Sequence, residues 1–187
     1  MKHAIALTLV VTALGAAPVL SAEMGAEDFG RTQLAEAAAA KVSVRDAIAA
    51  AERLSNGGRV VEATYYLQRT PPSATYELRA YQKDGMWEAR IAAGSGEMLG
   101  AGRTTPRGMF DEADAAELAL LERASTTISK AVELAEQHAQ GKAIAADLEK
   151  SRGGETAWHV VVVAGETARK VIIDPLTGRV RSDARLR

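Results

Sequence analysis

The sequence predicts an α+β protein of two tandem repeats, each a helix packed on a three-stranded antiparallel sheet, with a connecting helix. The first observation behind this prediction is an internal repeat: residues 42–52 match residues 126–136 at a constant offset of 84 positions. The second is that each of these segments has helical spacing of its apolar residues and is followed by segments that alternate like half-buried strands. The third is the placement of Gly-, Pro- and Asp-rich turns between those segments.

The first repeat is predicted over residues 42–100. Its helix has Ser43 as N-cap, and Asp46, three residues later, completes a capping box. The helix is predicted to end at Asn56 and the two glycines after it, which accept a left-handed backbone. The core-facing residues of the three following strands are Val61, Ala63, Tyr65, Leu67, Tyr76, Leu78, Ala80, Ala89 and Ile91.

The second repeat is predicted over residues 126–183. Thr127 caps its helix and Gly141 is predicted to end it. Its strands present Ile144, Ala146, Leu148, Trp158, Val160, Val162, Val171 and Ile173 to the core. We expect Ile48, Tyr65, Leu78 and Ile91 to be equivalent to Val132, Leu148, Val160 and Ile173. Because a unit of about 60 residues buries little apolar surface alone, the two units are expected to share a core.

The remaining segments connect or flank the repeats. Residues 23–41 are an alanine-rich helical lead-in, and residues 184–187 are a basic tail. Residues 101–125 are predicted as a linker and a helix, the helix spanning 111–123 with Asp111 as its cap. Glycines, Pro106 and two arginines make the stretch before that helix the best candidate for a mobile linker.

Residues 1–22 are predicted to be a signal peptide. A basic start is followed by an apolar stretch over residues 4–14 and a small residue, Ala22, at the expected cleavage position. The apolar stretch is too short to span a bilayer core. The mature protein is therefore expected to be periplasmic or secreted, with membrane attachment only if the signal is not cleaved.

Composition excludes several classes of function. Twenty-three Lys and Arg against 24 Asp and Glu give a net charge of −1, so nucleic acid is not an expected partner. The absence of cysteine excludes disulfides, thiolate metal sites and cysteine nucleophiles. Of the three histidines, His3 lies in the signal, His138 near a helix end and His159 on a strand, in no ligand-like spacing with a carboxylate. The sequence thus predicts no catalytic residues, no metal site and no cofactor.

Three motifs that resemble catalytic elements are interpreted as structural. The glycines of residues 100–105 lack the pattern of a phosphate loop. Gly94-Ser95-Gly96 lies between strand segments and is predicted to be a tight turn, not a nucleophile elbow. Asp174, followed by Pro175, is predicted to accept backbone N–H groups in an Asx turn.

The second sheet is predicted to be apolar on both faces. Trp158 and Val160 line one face, while Val161, Val163 and Ile172 make the other face apolar as well. These last three residues are the candidate interaction surface. Either a partner covers them, or the connecting helix or the other repeat buries them.

The repeat pattern resembles tandem PepSY domains. In the second repeat the family's helix pattern stands at residues 127–135, and its closing turn stands at residues 173–180 as Ile-Asp-Pro-Leu-Thr-Gly-Arg-Val. The first repeat has the helix pattern at residues 43–51, but its closing turn has Ala92 where the aspartate would stand and keeps only Gly96.

The resemblance implies a non-catalytic role. PepSY domains occur in propeptides of thermolysin-type metalloproteases, in membrane-anchored regulators and in small secreted proteins, and the family contributes no catalytic residues. The resemblance therefore implies an interaction protein of the cell envelope that regulates or inhibits a peptidase or another envelope partner. The alternative is an envelope ligand- or metal-binding protein, or an enzyme, of unrecognised type, which would need a convergent polar cluster.

Overall fold

A computed structural model describes residues 31–69, 72–150 and 154–186. Within these ranges the chain forms four α-helices, a short 3-10 helix and eight strands. The helices are α1 (Arg31–Ala39), α2 (Val44–Leu54), α3 (Glu112–Arg123) and α4 (Ile128–Ala139), and the 3-10 helix is Arg107–Met109. The strands are β1 (Arg59–Arg69), β2 (Pro72–Tyr81), β3 (Gly85–Ala92), β4 (Arg103–Pro106), β5 (Lys142–Lys150), β6 (Thr156–Ala164), β7 (Thr167–Ile173) and β8 (Val180–Arg185).

The strands form one antiparallel sheet in the order β4-β3-β2-β1-β5-β6-β7-β8. The prediction of a separate three-stranded sheet in each half is corrected here, because β1 and β5 pair with each other in the centre. Three pairs of residues make this junction: Glu62 with Asp147, Ala63 with Ala146, and Thr64 with Ala145. Without the junction, both strands would leave a row of backbone N–H and C=O groups unpaired at a sheet edge.

Each half also has a fourth strand that the sequence analysis did not predict. β4 lies within the predicted linker and pairs with β3, from Gly85 opposite Pro106 to Glu88 opposite Arg103. β8 pairs with β7 at the other end of the sheet. Both are edge strands with polar sequences, so neither shows the alternation of apolar residues by which the other strands were found.

One face of the sheet, the helix face, is covered by α2 and α4. The residues predicted to face the core lie on it, and Leu78, Val160 and Ile173 are fully buried there. α2 packs on β1 and β2, and α4 packs on β5, β6 and β7. A single cluster of buried apolar side chains includes residues of both halves, so the halves share one core as expected.

The helix starts follow the sequence prediction. Asp46 N donates to Ser43 Oγ over 3.1 Å and Asp46 Oδ2 accepts from Ser43 N over 3.0 Å, which completes the capping box of α2. Thr127 Oγ1 accepts from Lys130 N at the start of α4. Asp111 caps α3 in the same way.

The end of α4 differs from the prediction. Gln140, with φ +54°, takes the left-handed conformation, and Gly141 does not. Gly141 is required for another reason: a Cβ at this position would lie 2.3 Å from the carbonyl oxygen of Val163 on β6. The glycine therefore allows the chain to enter β5 in close contact with its neighbouring strand.

The connecting helix α3 lies over the opposite face of the sheet in the first half. Tyr81 donates its hydroxyl to the carbonyl of Asp114 over 3.3 Å, and the rings of Tyr81 and Phe110 meet edge to face at 5.6 Å. At the start of β5, Lys142 Nζ donates to the carbonyl of Ala38 in the last turn of α1 and to that of Ala40 just after the helix. These contacts tie α1 and α3 to the sheet.

Corresponding positions of the two halves make corresponding hydrogen bonds. The hydroxyl of Tyr76 on β2 donates to the carbonyl of Val42, and Nε1 of Trp158 on β6 donates to the carbonyl of Thr126, both over 2.9 Å. Val42 and Thr126 each precede the N-cap of the helix that follows. An aromatic side chain thus fixes the helix start in each half.

The closing turns and the bulges also correspond. Gly96 N donates to Ala92 O and Gly178 N donates to Asp174 O, over 2.8 and 2.9 Å. Both glycines have positive φ, +75° and +70°. The registers of β1 and β5 each shift once, between Val60 and Glu62 and between Ala143 and Ala145. The turn therefore closes in the first half without the aspartate.

The predicted signal peptide, residues 1–22, lies outside the described residues. None of the helices in the described ranges is long and apolar enough to cross a membrane.

Candidate functional site

A band of charged side chains crosses the opposite face of the sheet. In β5, Ala146 and Leu148 point to the helix face, so Asp147 and Glu149 point to the opposite face. His159 on β6 is paired directly with Asp147 and shares that face. The charged band comprises Glu62, Arg79, Asp114 and Glu117 in the first half and Asp147, Glu149, His159 and Lys170 in the second.

Three members of the band lie close together on β5 and β6. Asp147, Glu149 and His159, the His159 cluster, each offer one ligand-type atom, and these atoms lie within 4.8 Å of one another. Nδ1 of His159 is 2.6 Å from Glu149 Oε2, and Nζ of Lys170 is 3.3 Å from the same oxygen. The cluster therefore combines one imidazole and two carboxyl groups, with the ammonium group of Lys170 beside it.

His159 is the most deeply buried member of the cluster, at 3% exposure. Neither of its ring nitrogens makes a well-aligned hydrogen bond to the described residues. The approach of Nδ1 to Glu149 Oε2 is thus a close polar contact without good hydrogen-bond geometry, and Nε2 has no partner in the described part of the chain. Buried imidazole nitrogens normally have partners.

The two carboxyl groups of the cluster have opposite electrostatic environments. Burial raises the pKa of Asp147 well above its ordinary range, and the neighbouring charges of Glu149 and Glu62 raise it further. Contact with His159, followed by Lys170, lowers the pKa of Glu149 to about 2. The surroundings of Glu149 thus favour its ionised form, whereas those of Asp147 favour its protonated form.

The first half of the band is organised around Arg79. Its guanidinium lies 3.3 Å from Glu62 and 3.8 Å from Asp114. Glu117 of α3 lies in the same environment, and burial raises its pKa to about 7 although Arg79 opposes the shift. Oε1 of Glu117 is buried without a hydrogen-bond partner among the described residues.

The candidate interaction residues do not form an exposed surface. Val161 and Val163 lie on the same face as His159 and are buried, at 7% and 6% exposure, while Ile172 is half-buried. Of the two alternatives left open by the sequence, internal burial describes the two valines. Ile172 is the accessible member of the set.

The other residues considered from sequence have structural contacts. Asp174 Oδ1 accepts from the backbone N–H groups of Leu176 and Thr177, which confirms the Asx turn. Nε2 of His138, at the end of α4, lies 3.1 Å from Asp183 on β8. Ser95 lies in an exposed turn and donates its hydroxyl to Glu97.

A cleft of about 280 Å³ lies among the end of α2, the start of β1, α3 and the start of α4. Its lining comprises Glu52, Gly57, Gly58, Arg59, Val60, Leu121, Thr127 and Ile128. None of the three residues of the His159 cluster lines it. The cleft and the cluster are therefore separate features.

The His159 cluster is not visible in the spacing of residues along the chain, because its members are neighbours across the hairpin of β5 and β6. Most paired residues of β5 and β6 have numbers that add to 306, which places position 147 opposite position 159. Combining that register with the alternation of β5 would have placed Asp147 and Glu149 beside His159.

α4, β5, β6 and β7 define a class of domain: an α+β unit with a capped helix, a three-stranded antiparallel meander and an Asx turn that closes it. Residues 127–184 match the family model described as PepSY, peptidase propeptide and YPEB domain. Residues 127–184 are therefore a PepSY domain, as the resemblance of the second repeat implied. The match does not include residues 42–100, so the tandem arrangement stays a prediction.

Two solved structures are similar to this chain. One is a candidate lipoprotein from Clostridium difficile 630, with 17% identity, a TM-score of 0.44 and coverage of 78% of this chain and 93% of that one. The other is the YpeB C-terminal domain from Bacillus megaterium, with 9% identity, a TM-score of 0.28 and coverage of 79% and 66%. None of the curated proteins matches the chain in sequence.

Proposed function

We propose that the protein is an exported, non-catalytic regulator that binds a peptidase or another envelope protein through its PepSY domain. The observation that carries the proposal is the family match over residues 127–184, since the family is described as a peptidase propeptide domain. The matched residues include the complete unit of α4, β5, β6 and β7. A propeptide-type domain acts by non-covalent contact, which needs no catalytic residues in this chain.

We also infer that residues 42–100 form a second PepSY-like unit. The bonds of Tyr76 and Trp158 to the residues before the two N-caps support this inference, as do the matching closing turns at Gly96 and Gly178. Two units in one sheet would give the protein two related surfaces.

Export rests on the amino-terminal pattern. The basic start, the apolar stretch over residues 4–14 and the small residue Ala22 support cleavage after Ala22 and a periplasmic or secreted location. Mass spectrometry of the protein from the envelope or the medium tests this step, and a chain that still begins at Met1 in the cytosol would contradict it.

Binding is proposed to involve the face of the sheet that carries Val161, Val163 and Ile172. Ile172 is the residue to change, because it is half-buried and an aspartate there leaves the core in place. Val163→Asp serves as the contrast. It puts a charge into a site that is 6% exposed and should unfold the chain, at a cost of about 3–5 kcal/mol.

The experiment has two stages. In the first stage, the protein is crosslinked in the intact envelope and purified, and a crosslinked peptidase is identified. In the second stage, the purified chain is added to that peptidase together with a peptide substrate. We expect the parent to slow cleavage and Ile172→Asp to weaken the effect at least about tenfold. Ser129→Asp adds the same charge at an exposed position of α4 and should act as the parent does.

Circular dichroism of each variant separates lost binding from lost structure. A folded Ile172→Asp protein that inhibits as well as the parent would remove this face from the proposal. A parent that binds no peptidase, and does not change the activity of any peptidase with which it crosslinks, would contradict the proposed function itself.

A further inference from the structure

We propose that Asp147, Glu149 and His159 bind one divalent first-row transition-metal ion, of which Zn²⁺ is the simplest probe. The three side chains lie on neighbouring strands of one hairpin, and their ligand-type atoms lie within 4.8 Å of one another. The proposal goes beyond the regulatory function and does not rest on it, because the cluster lies within this chain and needs no protein partner.

The buried imidazole is the observation that points to a ligand. His159 is 3% exposed, and neither ring nitrogen makes a well-aligned hydrogen bond among the described residues. A polar group in that state costs free energy unless something binds it. Its Nδ1 lies 2.6 Å from Glu149 Oε2 and so within the cluster. A metal ion between the imidazole and the carboxylates would satisfy that nitrogen.

The donor set selects the kind of metal. One imidazole nitrogen and two carboxylate oxygens suit Zn²⁺ and its first-row neighbours, whereas Mg²⁺ and Ca²⁺ prefer sites built from oxygen alone. A tetrahedral Zn²⁺ holds its ligand atoms about 3.4 Å apart. Donors at the 4.8 Å limit would therefore approach by about 1.4 Å, whereas His159 Nδ1 and Glu149 Oε2, now 2.6 Å apart, would separate by about 0.8 Å. The remaining coordination position would be filled by water.

Solvent can reach the cluster from one side. The side chains of Glu149 and Lys170 are 24% and 22% exposed, while that of His159 is 4% exposed. The imidazole is therefore the buried side of the site, and Glu149 lies on the side that solvent reaches. Glu62, paired with Asp147 across the junction of the two halves, adds negative charge beside the site.

Lys170 is the competitor for the metal. Its ammonium group lies 3.3 Å from Glu149 Oε2 and supplies the positive charge that a cation would otherwise supply. A lysine stem is long and flexible, so the ammonium group can move into solvent when a metal ion arrives. Removing the Lys170 charge should therefore strengthen metal binding. If the Lys170–Glu149 ion pair only stabilised the fold, its removal would not tighten metal binding.

Isothermal titration of the untagged full chain with Zn²⁺ tests the proposal. We expect one ion per chain, at least about tenfold weaker binding in His159→Gln and Asp147→Asn, and tighter binding in Lys170→Gln. His138→Gln is the matched control, because His138 also lies beside a carboxylate but at the surface, and it should bind as the parent does. Visible absorption of added Co²⁺ should appear in the parent and be lost in His159→Gln.

Circular dichroism establishes that each variant is folded. If His159→Gln does not fold, the comparison of Lys170→Gln with the parent decides, since Lys170 is partly exposed. The proposal is overturned if the parent shows no saturable binding of Zn²⁺, if folded His159→Gln binds as tightly as the parent, or if Lys170→Gln binds no more tightly.

Discussion

Glu117 makes the stability of the protein depend on pH near neutrality. Burial raises its pKa from 4.5 to about 7. As pH rises from about 4.5, the carboxyl group ionises in the unfolded chain first while the folded chain keeps its proton. The free energy of unfolding therefore falls through this window, by an amount on the order of 2–3 kcal/mol, and becomes level above it.

Urea denaturation at pH 5 and pH 8 measures this effect. Glu117→Gln should remove most of the difference between the two values. Glu122→Gln changes an exposed residue of the same helix and should leave the difference intact. If Glu117→Gln keeps the same dependence on pH, that dependence comes from other groups, such as the carboxyl group of Glu62, whose pKa is also raised.

Two buried aromatic residues test the correspondence of the halves. Tyr76→Phe removes the hydroxyl that donates to Val42, and we expect a loss of about 1 kcal/mol of stability. Trp158→Phe removes the bond to Thr126 and also leaves a cavity, so its cost should be larger, about 2–3 kcal/mol. Chemical denaturation measures both, and a neutral Tyr76→Phe would show that the first helix start does not need its bond.

The residues that could be predicted are those whose role is local. Ser43 with Asp46, Thr127, and Asp174 in its turn each depend on atoms within three or four residues along the chain. The partners of His159 could not be predicted in this way, because they depend on the register of two strands joined by a turn. A one-residue slip would have placed Asp147 on the other face.

Among the elements, the start of β5 depends on Gly141. A Cβ there meets the carbonyl of Val163 at 2.3 Å, and backbone atoms in a sheet cannot move aside cheaply. Gly141→Ala should therefore cost about 1–3 kcal/mol. Gly94→Ala is the control, since nothing lies within 4 Å of its added Cβ, and thermal unfolding should show little change. Equal melting temperatures for the two variants would contradict the close approach.

The elements missed from sequence share a physical cause. β4 and β8 are held by pairing with one neighbour each and bury few side chains, so their sequences carry little of the apolar alternation that identifies a strand. The junction of β1 with β5 was missed for another reason. Backbone hydrogen bonds form it, and side-chain pattern alone does not say which two strand edges meet.

The whole molecule should unfold in one step, because a single apolar core joins the halves. Each half contains one buried tryptophan, Trp87 on β3 and Trp158 on β6. In Trp87→Phe and in Trp158→Phe the remaining tryptophan reports on one half. In each variant, the urea midpoint from fluorescence of the remaining tryptophan should equal the urea midpoint from circular dichroism. Two separated midpoints would mean that the halves unfold independently.

The order of strands across the sheet has a consequence for aggregation. β5 contains an apolar run, Ala143 to Ala146, and an exposed strand with such a run would recruit other chains into fibrils. Here it lies in the centre, covered by β1. The outer edges are poor templates, because β4 has only four residues and ends in Pro106, and β8 carries Arg181 and Arg185. The arrangement of the two halves therefore protects the protein against edge-to-edge self-association in a crowded compartment.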